Sequence, residues 1–185
     1  MARLERVFVD TATLYPISLA DLVLRLAEFG MYDLLWSDHL LAEIERVLVE
    51  YKGLTTEGAH YFCECISNGF PAGRVEPQEY LPLVATRTGP DPDDHVHSAA
   101  VVAGKATVML SADKAGYPAT DISPARRRDP DSFLTDLLRR YPQDVLGVID
   151  AMGGALRVPL TRAEILDRLS RAGIPGFAAL AIELF

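Results

Sequence analysis

A chain of 185 residues, 49% hydrophobic and 24% charged, can bury one substantial core and is expected to fold as a globular protein, with no internal repeat and no low-complexity segment. The formal charge of −8, from 26 acidic against 18 basic residues, argues against a general basic surface for nucleic acid, so a phosphate backbone would have to be met locally. No run approaches the roughly 20 apolar residues of a membrane span and the N-terminus has no apolar run of signal-peptide length, so a soluble, cytoplasmic protein is expected.

In chain order, Arg6 to Asp10 reads as a buried strand and Leu19 to Phe29 carries apolar residues at helical spacing. Tyr32 to Trp36 is a short strand. Ser37 suits the N-cap of a helix running to about Tyr51. Thr55 to Ser67 is a further helix, and within it Cys63 and Cys65 point in different directions, which fits neither a zinc pair nor a redox motif. Gly69 to Pro82 is interrupted by Pro and Gly, Asp94 to Ala103 is a short helix, and Thr107 to Ser111 is a strand. Pro118 to Pro130 reads as a linker. Beyond it, Asp131 to Tyr141, Gln143 to Leu156, Thr161 to Ala172 and Gly176 to Phe185 have helical period. The expectation is an α/β fold, a parallel sheet flanked by helices over residues 1–118, with a helical C-terminal extension over 119–185.

Asp10 and Asp113 both follow apolar strands, and ligands of parallel sheets gather outside the carboxyl ends of the strands. Glu43 lies about two turns into its helix, and Asp94 stands at or near a helix N-cap. Each acid has an ordinary explanation as a cap, a turn residue or a surface glutamate. Together they pose an electrostatic question, because two ionised carboxylates about 6 Å apart repel by roughly 2.8 kcal/mol at an effective dielectric of about 20. A cluster of four needs protons or cations. Hard cations such as Mg²⁺ or Mn²⁺ take oxygen ligands and share their shells with water and substrate phosphates, which points to phosphodiester chemistry.

Three blocks carry a family resemblance: Val7-Phe8-Val9-Asp10-Thr11-Ala12-Thr13-Leu14-Tyr15-Pro16, Ser37-Asp38-His39-Leu40-Leu41-Ala42-Glu43-Ile44, and Asp91-Pro92-Asp93-Asp94-His95-Val96-His97-Ser98-Ala99-Ala100 running into Ala106-Thr107-Val108-Met109-Leu110-Ser111-Ala112-Asp113. In order and spacing they resemble the PIN-domain nuclease family over the first two-thirds of the chain. The tail, with Pro130-Asp131-Ser132-Phe133-Leu134 and the helices after it, resembles the extended branch of the toxin components of bacterial VapBC toxin–antitoxin pairs.

The resemblance implies a metal-dependent endoribonuclease. By position, Asp10, Glu43, Asp94 and Asp113 match the family's acidic quartet, Asp91 a frequent accessory acid, and Thr11 and Ser111 the small hydroxyl positions beside the first and last acids. Ala12 departs from the polar side chain of many relatives, which removes a supporting hydrogen bond rather than a ligand. Asp10 and Asp94 are expected to be the main ligands of one or two Mg²⁺ or Mn²⁺ ions, Glu43 to act through water or as a base, and Asp113 to complete a second site or the outer shell. The implied partners are RNA, a small antitoxin that covers the acids, and a second copy in a homodimer. Arg126, Arg127 and Arg128 are candidates to guide RNA, against the ordinary reading of a solvated face.

Two alternatives are a weakly active or inactive PIN-like interaction protein, and a metal-dependent nuclease outside any toxin–antitoxin pair. An aspartyl-phosphate phosphatase would want a second Asp two residues after Asp10, where Ala12 stands, and no Walker or GxGxxG pattern follows any strand. His39, His60, His95 and His97 have no evident nucleophile partner; His95 and His97 flank Asp94 and are candidates to touch substrate, against the favoured reading of all four as structural.

Overall fold

A computed structural model describes residues 4–113 and 115–184. The chain begins β1 (Arg6–Val9), α1 (Thr11–Leu14), α2 (Ile17–Glu28), β2 (Asp33–Ser37), α3 (Asp38–Glu50) and α4 (Thr56–Gly69). There follow β3 (Arg74–Val75), α5 (Pro77–Tyr80), α6 (His95–Ala103), β4 (Val108–Leu110), α7 (Ala119–Ile122) and β5 (Arg126–Arg128). The chain then runs through α8 (Pro130–Arg140), α9 (Pro142–Gly154), α10 (Arg162–Arg171) and α11 (Pro175–Glu183).

The strands form one five-stranded sheet in the order β3-β2-β1-β4-β5, and every neighbouring pair is parallel. Val7, Phe8 and Val9 of β1 and Val108, Met109 and Leu110 of β4 are buried without exception. Helices cover both faces of a parallel sheet, so its central strands read as unbroken apolar runs rather than alternating ones. The α/β fold with a helical C-terminal region is therefore as expected.

Ser37 caps α3 by accepting from Leu40 N at 3.2 Å, and Leu40, Ile44 and Leu48 bury one stripe of that helix. This fixes the helix's rotation about its axis. Glu43 is then left on the flank beside the carboxyl end of the sheet.

Two strands occur where none was expected. β3, two residues long, pairs with β2 in the stretch interrupted by Pro and Gly. β5 lies within Pro118 to Pro130, the expected linker, so the sheet runs on past residue 118. Three consecutive arginines read as surface; β5 is nevertheless held by its backbone bonds to β4, and charged side chains are common on edge strands. Arg126 pairs with Glu5 at 2.9 Å, Arg127 donates to Ser111 O at 2.7 Å, and Arg128 pairs with Asp136 at 2.6 Å.

The C-terminal helices continue the same core. α9 and α10 pack against α2, and Leu134, Ile149 and Leu166 belong to one buried cluster with Leu22 and Leu26. Asp131 accepts from Gly176 N at 2.9 Å and Phe177 N at 2.6 Å, which ties the start of α8 to the start of α11. Among the described residues no helix is long and apolar enough to cross a membrane.

Candidate active site

From β1 the chain builds β2 and β3 on one side, then places β4 and β5 on the other, so the direction of winding changes between β1 and β4. Parallel sheets bind ligands at the carboxyl ends of the strands at such a switch point. A cavity of about 120 Å³ lies there, lined by Asp10, Thr11, Ala12, Glu43, Asp94, Asp113 and Tyr117. All four expected acids line it.

Asp10 is the most constrained. It follows β1 directly, accepts from Thr13 N at 2.9 Å as the cap of α1, and receives the Ser111 hydroxyl from the end of β4 at 2.5 Å. Only 3% of it is exposed. Burial raises its pKa above the ordinary carboxylate range, while the bonds from Ser111 and Thr13 and the nearby His97 oppose that shift. A carboxylate so placed gains from a bound cation.

Glu43 is half-buried, and its Oε2 lies 2.6 Å from Nε2 of His97 on α6. A carboxylate only accepts, so that nitrogen carries the proton. The hydrogen bond from His97 holds the Glu43 pKa below its usual value against the effect of burial. His97 is 3% exposed, and no group among the described residues meets its Nδ1. The buried hydroxyl of Thr11 faces Glu43 and also helps to lower its pKa.

Asp113 takes Ala115 N at 2.8 Å and Gly116 N at 3.0 Å on its Oδ1, and these bonds hold its pKa low. Its own N–H donates to the Ser111 hydroxyl at 3.0 Å, so Ser111 links Asp113 to Asp10. Asp94 accepts the Tyr117 hydroxyl on Oδ1 at 3.1 Å. Burial raises the Asp94 pKa, with Asp91 and Asp113 adding to the effect. Tyr117 is 6% exposed, and burial followed by the charges of Asp10, Asp94 and Glu43 pushes its phenol upward, so it remains a donor.

Gly116 makes room for the pair. A Cβ there would lie 2.5 Å from Asp94 Oδ2 and 2.7 Å from Asp113 Oδ2, which bounds the separation of those two oxygens at about 5 Å. Any larger residue would displace one carboxylate or both.

The loop before α6 is pinned from below. Asp121 on α7 accepts from Thr88 N at 2.5 Å, Thr88 Oγ1 at 2.9 Å and Gly89 N at 2.7 Å, while the Arg87 guanidinium donates to Asp121 O. Burial alone would raise the Asp121 pKa, but the bonds from Thr88 and Gly89 together outweigh it and hold it low. His95 Nε2 reaches Gly89 O at 2.9 Å and closes the same loop onto α6. Asp94 is thus aimed by residues on both sides of it in sequence.

The remaining expected residues divide. Ser111 is fully buried within the site, and Thr11 lines it. Asp91 is exposed outside the cavity, where it accepts from Asp93 N at 3.0 Å. Of the three arginines, Arg127 is closest to the acids and helps lower the Asp113 pKa. Arg128 is spent on Asp136 and the Phe133 ring, and Arg126 on Glu5. Tyr117, Gly116 and Asp121 carry no signal in the sequence that marks them as site residues, and His97, which flanks Asp94, reads there chiefly as structural. The spacing of His97 three residues after Asp94 was the available signal, since positions i and i+3 share a helix face.

Among the described residues, no three His, Cys, Asp or Glu side chains close tightly enough to form a metal shell by themselves. The donor set nonetheless fits a partly hydrated hard cation: oxygen ligands, a buried Asp10 made costly as an anion, and two Oδ2 atoms facing one gap.

Residues 130–181 match the family model described as the VapC50 C-terminal domain. The match is a likeness over the C-terminal helices alone. It covers α8 to α11 and leaves the acidic cavity outside it. No curated protein and no solved structure matches the chain.

Proposed function

We propose that the protein is a metal-dependent endoribonuclease, the toxin of a VapBC-type toxin–antitoxin pair. The observation that supports this reading most is the convergence of Asp10, Glu43, Asp94 and Asp113 on one small cavity at the switch point of a parallel sheet. The family match over the C-terminal helices supports its toxin half.

In this reading Asp10, Asp94 and Asp113 hold Mg²⁺ or Mn²⁺, with Glu43 acting directly or through water. The bound ion supplies charge neutralisation at the scissile phosphate and an acidified water. The chain's own contribution is pre-organisation. Ser111 and Thr13 fix both oxygens of Asp10, and Tyr117 leaves Oδ2 of Asp94 turned towards the gap. His97 keeps Glu43 ionised, which suits it to orient an attacking water rather than to hold a proton. Burial raises the Asp94 pKa when no cation is bound, and a cation at Oδ2 would stabilise its anion. Arg127, which donates to Ser111 O and helps lower the Asp113 pKa, is the arginine this reading assigns to an RNA phosphate.

The partners in this reading are RNA, a small basic-tailed antitoxin suited to a chain of charge −8, and a second copy in a homodimer, with action in the cytoplasm. Sequencing the RNA ends made by wild type and by Asp94→Asn in Mg²⁺ and in Mn²⁺ tests it. Discrete metal-dependent cuts that vanish in the variant are expected. Identical products from both proteins would refute a role for this cavity in cleavage.

A further inference from the structure

Away from the acids, a hollow of about 780 Å³ opens between α2, α4, α9 and α10. That is the size of a small-molecule site. Met152 and Ile165, 2% and 3% exposed, are its most deeply buried lining residues, and Ile17, Leu24, Phe62 and Leu156 add further apolar surface. Such a lining disfavours a phosphodiester backbone and favours a hydrocarbon.

The charges along this lining run against the rest of the molecule. Lys52, Arg168 and Arg171 line it with a single acid, Asp21, whereas the whole chain has 26 acids to 18 basic residues. Asp21 is already bound to Arg25 at 2.8 Å, and Arg171 to Asp167. Lys52 rests over the Tyr15 ring, its Nζ 4.9 Å from the centroid. Lys52 and Arg168 are exposed; the charge of Arg168 also acts on Glu164, one turn earlier on α10. Long cationic side chains at the mouth of an apolar hollow complement a ligand with an apolar body and an anionic head.

We infer that this hollow binds a small amphipathic anion, an aliphatic chain ending in a carboxylate. The chain lies on Leu24, Phe62, Met152 and Ile165, and the carboxylate sits between Lys52 and Arg168. Because α2 and α4 precede the sheet's second half while α9 and α10 belong to the C-terminal region, the occupant joins the two parts and stabilises their packing. The site does not depend on the nuclease reading, and its test needs no cleavage assay.

Calorimetric titration of the full chain with decanoate at low salt, beside decan-1-ol and decyltrimethylammonium, reads both halves of the site. Saturable binding of decanoate at one per chain, at least tenfold tighter than decanol, is expected, with no binding of the cation and a rise in thermal midpoint for decanoate. Lys52→Glu with Arg168→Glu, both surface changes, should keep the circular dichroism spectrum and weaken decanoate at least tenfold. Leu156→Gln should weaken both decanoate and decanol. Equal binding of decanoate and decanol, or no effect of the double charge reversal, overturns the proposal. So does failure of decanoate to bind while a dimer, or a complex with an acidic amphipathic peptide, is lost on the same charge reversal, which would assign the hollow to a second copy or a polypeptide.

Discussion

The Tyr117 hydroxyl donates to Asp94 Oδ1 at 3.1 Å, and the other oxygen of Asp94 is left facing Asp113 across Gly116. A phenol from the segment after β4 thereby decides which oxygen of an acid before α6 is free. The bond also lowers the Asp94 pKa against the effect of burial.

Tyr117→Phe keeps the ring and removes only the donor. A hydrogen bond to a charged group is worth about 1.5–3 kcal/mol of stability, so the thermal midpoint should fall by several degrees, and cleavage should slow by roughly tenfold or more as Asp94 loses its aim. Single-turnover rates in saturating Mg²⁺ check this. An unchanged rate would show that Asp94 is aimed without Tyr117.

Gly116→Ala places a methyl within contact distance of both Asp94 Oδ2 and Asp113 Oδ2. Overpacking of this kind costs about 1–3 kcal/mol, and here the carboxylates are what must move. Divalent-cation affinity should fall at least tenfold while the denaturation midpoint shifts modestly. Retained affinity would place the cation elsewhere.

Asp121→Asn tests the pin beneath the loop and carries a pH signature. Asp121 has a folded pKa below the ordinary aspartate value of 3.8, so its stabilising contribution is fully present above that value and is lost as pH falls through the folded one. The stability difference between wild type and variant should be about 1.5–3 kcal/mol at pH 6 and shrink progressively below about pH 4. Denaturant curves at several pH values measure it. A difference that grew on acidification would contradict the assignment.

His97→Leu removes the donor that holds the Glu43 pKa down. The Glu43 carboxyl should titrate at a higher pH than in wild type, whereas His97→Gln, which keeps a donor, should restore part of the difference. Carboxyl-detected NMR titration follows both. Equal Glu43 values in all three proteins would show that the 2.6 Å pair is electrostatically idle.

Much of this site is legible in the linear chain because strand ends are. Asp10 and Asp113 each follow a run of apolar residues, and a parallel sheet puts such positions on one edge. Glu43 can be placed because Ser37 sets where α3 starts and the buried stripe sets its rotation. The supporting residues are less legible. His97 meets Glu43 across 54 positions, and Asp121 meets Thr88 across 33, so both partnerships exist only after the helices dock. β5 was missed for another reason: an edge strand owes its conformation to the neighbour it pairs with, and Arg126 to Arg128 carry no apolar alternation to announce it.

Direct titration of the purified chain with Mn²⁺, followed by electron paramagnetic resonance, bears most directly on whether the four carboxylates jointly hold a cation. Saturable binding in wild type, competed by Mg²⁺ and weakened at least tenfold in Asp10→Asn and in Asp94→Asn with the fold retained, is the expected result. Wild type and both variants binding alike, or no binding by folded wild type, would contradict it.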